Sequence, residues 1–587
     1  MGMAKTGLRS VVLVGVGALL LAACGGGDSG NGGGSGDTSG GTKGGTLRFL
    51  NLETQFLHLD PQRNYTGEDL AFASGYMQRT LVSYTYVEGA DGWALVPDLA
   101  TDTGTPNEDG SSWEFTLQDG VTFEDGTAID CAAVKYGVSR TFAQSVITDG
   151  PSYAVSLLDV EGYKGPYDKS AKNNVAGFDE AVQCSEDGKT ITFNLARPAP
   201  DFNATTTLLA FSPVPEAVDQ DPKTGGENYD KRPVSSGPYK IETYDKGNEL
   251  VLVRNDAWDE STDAIRPAYP DEIIVEFGVD PAVIDQRIIA SSGDDADTLP
   301  IGNLQPENLA TVWPSGPGSD PDPQFEGRAF NELDPYVRYL AINTVSVPNL
   351  QHRQAIMAGL DREAQRIIAG GDFSGDLADG VIKSNFLGYE PTGLWDPGLL
   401  GAPVPDTGDP DLAKQLIADS GEPMPTLTYD YATTPTNDKA AASVVESLGR
   451  AGIKVTPNPI DPAQYYGVVL NPARAGDIMV AGWGPDWSNA STIIPELFTP
   501  SGGFNLSQVS EEAFPDFVQG VDEAKAILDF NEQAQAWNDL NAQAMEQGFA
   551  LPTRFGREQR LAGSAVGGAY IWAPYGSWPY ATLWVNP

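Results

Sequence analysis

Two histidines, His58 and His352, are all that the 587 residues contain. A His-ligated metal centre has almost nothing to draw on, and the H-E-x-x-H helix of zinc hydrolases is absent. The G-x-S-x-G elbow of serine hydrolases is missing as well. EDGKT at 186–190 ends like a phosphate-binding loop, but Gln183 stands where the first glycine of that loop belongs. Carboxylate-pair hydrolysis stays open, because 81 acidic residues allow many pairs whose spacing in space the sequence does not show. Positive charge is also scarce: 36 Lys and Arg leave a net charge of −45, which repels phosphate backbones and anionic surfaces. Nucleic acid is excluded as a partner, and the charge itself reads as a solvated acidic surface. No cofactor and no metal are expected.

Long apolar runs are limited to one, VVLVGVGALLL at 11–21, too short to span a bilayer. It follows Lys5 and Arg9 and precedes Ala22, Ala23 and Cys24, the pattern of an export signal over 1–23. LAAC at 21–24 resembles the bacterial lipobox, in which cleavage precedes an acylated cysteine. Cys24 is the expected lipidation site, and more than one acyl chain anchors stably. Removing residues 1–23 leaves a net charge near −47, so lipid rather than charge would hold the chain outside the cell membrane or in the periplasm. Residues 24–45 are then the acylated cysteine and a glycine-rich tether with a reach of about 25 Å. A G-x-G-x-x-G at Gly25, Gly27 and Gly30 follows no strand and opens no helix, so it carries no dinucleotide reading.

Cysteine is the third scarcity. Beyond Cys24 only Cys131 and Cys184 occur, an even pair that reads as a disulfide in an exported protein, with two buried thiols as the alternative. The length calls for two or three domains. EDGSSWEFTL (108–117) and EDGKTITFNL (186–195) each set a glycine turn before alternating apolar positions, as hairpin strands do. HRQAIMAGLDREAQRII places Ile356, Leu360, Ala364 and Ile367 on one helical face, with Asp361 as a cap where the pattern restarts. The fold class is α/β or mixed α+β with several lobes.

SGPYKIETYDKGNELVLVRNDAWD (236–259) resembles the signature of the family 5 extracellular solute-binding proteins, the peptide-binding components of ABC importers. The likeness continues in WEFTLQDGVTFEDGTAIDCAAVKYGVSR (113–140), FSPVPEAV (211–218), YLAINTVSVPNLQHRQAIMAGLDREA (339–364) and GWGPDW (482–487). Cys131 departs from the family pattern, which supports a lineage-specific disulfide. Most of these residues serve the fold; Tyr239 and Trp258 are expected in the core. The resemblance implies a two-lobed periplasmic-binding-protein-like fold with three domains around one cleft. A discontinuous first domain would comprise 46–62, 191–278 and 554–587, with 63–190 inserted and 279–553 as the closing lobe. It implies binding rather than catalysis, a monomer, and delivery of the solute to an ABC permease driven by a cytoplasmic ATPase.

AGWGPDWSNAS at 481–491 sets Asp486 between Trp483 and Trp487 in a glycine- and proline-rich turn. By composition alone Asp486 is a turn or cap residue. The resemblance places it where peptide-binding members pair an Asp with the ligand's α-ammonium, with the two indoles as apolar walls. NYTGED at 64–69 is a second candidate, with Asn64 and Tyr65 as contacts, or else an ordinary surface loop. Arg338, Arg353, Arg362 and Arg474 lie in the expected closing lobe, and none is singled out for a ligand carboxylate. The expected solute is a di- or oligopeptide. An oligosaccharide on the same scaffold is the nearest alternative, and a lipid-anchored hydrolase or an adhesive protein is the alternative of another class.

Overall fold

The computed structural model describes residues 40–586 apart from 387, 462 and 463. The export signal, Cys24 and the tether up to residue 39 lie outside the described residues. Among the described residues no helix is long and apolar enough to cross a membrane.

Three sheets organise the chain. The first has five strands in the order Thr298–Ile301, Thr46–Asn51, Glu272–Glu276, Glu249–Arg254, Tyr239–Asp245. Thr46–Asn51 runs parallel to both neighbours and buries Leu47 and Phe49 completely. Tyr239, the first residue of the edge strand, is buried with its hydroxyl donating to the Pro270 carbonyl at 2.7 Å, and the half-buried Trp258 donates its indole N–H to Asp263 at 3.1 Å; both are fold residues, as expected.

The second sheet is antiparallel: Thr105–Pro106, Ser112–Thr116, Thr190–Asn194, Val182–Cys184. Its two hairpins turn at Gly110 and Gly188, whose φ values of 70° and 72° suit glycine. Trp113 faces Phe193 and Phe115 faces Ile191 across the register, and these four form one buried face. Cys131, at the start of helix Cys131–Arg140, is joined by a disulfide to Cys184, with Cα atoms 5.7 Å apart.

The third sheet runs Gly375–Asp376, Ala550–Leu561, Ala329–Ile342, Ile478–Trp483, Leu427–Ala432, Val455–Ile460. Its two longest strands, Ala329–Ile342 and Ala550–Leu561, are antiparallel, and their outer ends reach the first sheet: Ala562 donates to the Arg328 carbonyl and Gly563 to that of Thr298, both at 2.8 Å.

Hydrogen-bonding register corrects three expected domain breaks. The break at 190 separates Thr190 from the rest of a strand that pairs on both sides within the inserted sheet. The break at 278 assigns Thr298–Ile301 to the closing lobe, whereas it pairs with Thr46–Asn51 of the first sheet. The break at 553 cuts Ala550–Leu561, a single strand of the closing lobe. The expected helical face is also revised. Two helices form, Leu350–Gly359 and Arg362–Ile368, with the Asp361 carboxylate capping the Ala364 N–H at 2.9 Å. The break resets the helical phase, so Ile367 is 61% exposed while Arg362 turns inward.

Two buried ion clusters tie the inserted domain to the first. Asp98 holds Arg79 at 2.7 Å and Arg266 at 2.8 Å, and Arg266 also reaches Asp263 at 3.1 Å, all essentially without solvent exposure. Arg140 grips Asp60 through both terminal nitrogens at 2.7 and 2.6 Å and lies 3.3 Å from Asp219. Charges so enclosed persist only when paired, because an unpaired one would carry the full desolvation cost.

Candidate functional site

Strand Ile478–Trp483 leaves the third sheet through Gly482, Trp483 and Gly484. Gly484 is required sterically: a Cβ there would stand 2.5 Å from the Tyr336 ring. The turn that follows is pinned by Thr492. Its carbonyl accepts from the Trp483 indole at 2.9 Å, and its hydroxyl both accepts from the Asp486 N–H at 3.2 Å and donates to Asp486 Oδ2 at 3.0 Å.

The Asp486 carboxylate is then met from the opposite side of the cleft. The Tyr65 hydroxyl donates to Oδ1 at 2.9 Å and the Tyr153 hydroxyl donates to Oδ2. A carboxylate offers about four acceptor positions, so one remains, on Oδ1. Burial lifts the Asp486 pKa to about 6, with the three hydroxyls opposing the shift and Glu496 adding to it. Burial first, and the Asp486 charge second, push the phenols of Tyr65 and Tyr153 upward, so both remain donors at neutral pH.

Asp486, Trp483 and Tyr65 share a cavity of about 280 Å³ with Tyr336, Tyr466, Phe504 and Tyr575. Trp483 packs on Phe504 at 5.1 Å between ring centroids, and Phe504 on Tyr466 at 5.7 Å, giving a continuous aromatic wall. Asp486 is the one carboxylate among the described lining residues, and no Lys, Arg or His joins them.

Two expected contacts fall elsewhere. Trp487 does not face Trp483 across Asp486: it is 6% exposed, belongs to the inserted domain's apolar core, and donates to Asp201 at 2.8 Å. Its ring meets Tyr153 edge-on at 4.7 Å, so it holds a tyrosine that holds the aspartate. It borders a separate cavity of about 390 Å³ with Asp201, Arg197, Glu496 and Lys525. Asn64 is 1% exposed and does not line the aromatic cavity; its side-chain amide has no hydrogen-bond partner among the described residues. Tyr65, the next residue, turns outward to Asp486.

Of the four arginines, Arg353 is spent on the carbonyls of Gln547, Val347 and Pro348. Arg362 lies over the Trp395 ring at 3.7 Å and pairs with Asp406, and Arg474 is exposed with its guanidinium donating to the Gly467 carbonyl at 3.3 Å. Arg338 is in register with Gly482, which lines the cavity, but is not itself among the lining residues. Tyr153, Thr492, Tyr336 and Phe504 carry no motif, and only their assembly in space marks them.

The family model for bacterial extracellular solute-binding proteins, family 5 (middle region), matches residues 94–505. The chain belongs to that family. Among curated relatives of this solute-binding protein, the oligopeptide-binding protein OppA of Bacillus subtilis (strain 168) is 23% identical over 535 residues, covering 89% of this chain and 90% of the relative. The glutathione-binding protein GsiB of Escherichia coli (strain K12) is 22% identical over 479 residues, covering 78% and 80%. Among solved structures, the clavulanic acid biosynthesis oligopeptide binding protein 2 superposes with a TM-score of 0.82 at 27% identity, covering 93% of this chain and 96% of that one. The three-sheet, two-lobed architecture of this solute-binding protein is therefore that of its relatives.

Proposed function

We propose that this protein captures peptides outside the membrane by their free amino terminus and presents them to an ABC permease. One observation carries the reading: a single carboxylate, with one acceptor position open, sits in an otherwise uncharged aromatic cavity between the lobes. An ammonium is the complement of that arrangement, since it donates to the free position and draws on the quadrupoles of Trp483 and the tyrosines for roughly 0.5 to 2 kcal/mol. The oligopeptide and glutathione ligands named for the relatives support the class. Because Tyr65 and Tyr153 reach Asp486 from the far side, ligand capture and lobe closure share one anchor, and the closed form becomes the signal for docking.

Acylation at Cys24 would keep the protein at the membrane face. Cys24→Ala should release it into the periplasm or medium, and retention of the variant in carbonate-washed membranes would remove the anchor from this reading. The ligand class is tested by mass spectrometry of the solute retained through native purification. Amine-bearing peptides at one equivalent are expected, whereas a sugar would transfer the aromatic wall to ring stacking and Asp486 to hydroxyl recognition.

A further inference from the structure

Asp201 stands at the N-cap of a short helix, Phe202–Thr205, where an aspartate ordinarily turns its carboxylate back onto the helix's own N–H groups. It makes no such bond. The side chain reaches the other lobe instead: Oδ2 accepts from the Trp487 indole at 2.8 Å and from the Ser491 hydroxyl, and the indole also reaches Ser491 Oγ at 3.2 Å. Asp201 itself is fixed on the inserted domain. Phe202 beside it is fully buried in that domain's apolar core, its ring 5.1 Å from Phe193 and 5.7 Å from Phe211. The two donors ride on the closing lobe, in the segment that follows strand Ile478–Trp483.

The position of those donors in the chain gives the bonds their consequence. Trp487 follows Asp486, Ser491 precedes Thr492, and Thr492 is the residue that pins the Asp486 backbone and carboxylate. One carboxylate therefore grips both ends of the loop that carries the ligand anchor. Asp201 does not line the aromatic cavity; it borders the separate cavity of about 390 Å³ together with Tyr153 and Trp487. We propose that Asp201 is a positioning residue that latches the inserted domain to the closing lobe through Trp487 and Ser491, and so sets both where Asp486 stands and what fraction of the protein is closed before a solute arrives. It touches no solute. Its effect on affinity is uniform across solutes, because the apparent dissociation constant rises as the binding-competent fraction falls. This rests on the reading that the lobes close over a captured peptide.

The test uses the mature protein, a fluorophore pair spanning the inserted domain and the closing lobe, and an equimolar library of tripeptides with free and N-acetylated amino termini. Asp201→Ala should lower the closed fraction of the peptide-free protein. It should also weaken binding of every tripeptide by roughly tenfold to a hundredfold, the worth of one charge-assisted hydrogen bond, through faster release. The ratio of free to acetylated peptides retained should not change. Asp201→Asn keeps an acceptor oxygen and should recover part of both losses. Trp487→Phe keeps a ring in the core and removes the N–H, so it should lower the closed fraction by itself and add little to Asp201→Ala. An unchanged closed fraction in these variants, whatever their melting temperatures, overturns the latch, as do additive losses in the double variant. A shifted ratio of free to acetylated peptides would mean that Asp201 meets the solute, and overturns it too. Retention of no peptide by the wild type overturns the proposed function instead, while the closed fraction measured without peptide still decides the latch.

Discussion

Replacing Asp486 by Asn keeps the shape of the side chain and removes its charge, and the consequences for affinity and for stability have opposite signs. In the unliganded protein the carboxylate pKa is raised from 3.8 to about 6, so holding it ionised at pH 7 costs about 3 kcal/mol relative to water. The native state binds this proton more tightly than the unfolded chain. The group's contribution to stability is therefore greatest below pH 4, declines as pH rises, and is at its minimum above pH 6. Asp486→Asn should raise the unliganded melting point at pH 7, a gain of about 1 to 3 kcal/mol. Affinity moves the other way. A peptide ammonium left in the closed cleft without its partner costs about 3 to 5 kcal/mol, which weakens binding by roughly a hundredfold to several thousandfold. N-acetylating the peptide should weaken binding to the wild type comparably and add little to the loss in Asp486→Asn. The pH profile supplies an independent check. Below pH 6 the ligand must displace a proton from Asp486, so affinity should fall by up to tenfold per pH unit. Above about pH 8 the α-ammonium deprotonates and affinity falls again. Calorimetry in two buffers of different ionisation enthalpy should show proton release on binding at pH 5.5. Additive losses in the four-way cycle, or an affinity that is flat between pH 5 and 7, would refute the pairing.

Reducing the Cys131–Cys184 bond opens a loop of 53 residues, worth about 4 kcal/mol in chain entropy, and should lower the melting temperature of the mature protein without changing peptide affinity; two titratable thiols in unreduced, denatured protein would contradict the bond. Asp98→Ala leaves Arg79 and Arg266 to share Asp263 alone in a solvent-free site and should destabilise by about 3 to 5 kcal/mol in urea titration, and a loss below 1 kcal/mol would show that the cluster is not what joins the domains. Gly484→Ala drives a methyl to within 2.5 Å of the Tyr336 ring and should cost about 1 to 3 kcal/mol together with a measurable fraction of peptide affinity. An unchanged dissociation constant in that variant would show that the Trp483–Asp486 turn tolerates displacement.

How much of this the sequence disclosed follows from which interactions are local. The glycine-turned hairpins and the Asp361 cap are set within a few residues of chain, and both form as the pattern implies. Domain breaks depend on which strand takes up whose hydrogen bonds, and no local pattern reports that Thr298–Ile301 returns to Thr46–Asn51. The same limit applies to the site. Asp486 and Tyr65 were legible through family resemblance, whereas Tyr153 lies 333 positions from Asp486 and carries no signal of its own. Trp487 shows why proximity misleads: one residue past the aspartate the chain has turned, and the indole enters the core of a different domain.

The two buried ion clusters bear on how many independent motions the molecule has. Three sheets could move as three bodies, but Asp98 with Arg79 and Arg266, and Arg140 with Asp60, weld two of them into one. Closure is then expected as one motion of the third sheet against that pair, with the Arg560–Glu68 contact at 2.9 Å as the ion pair that spans the two. Fluorophores on the first and inserted domains should report constant energy transfer throughout a titration, while a pair spanning either of them and the closing lobe reports all of the change.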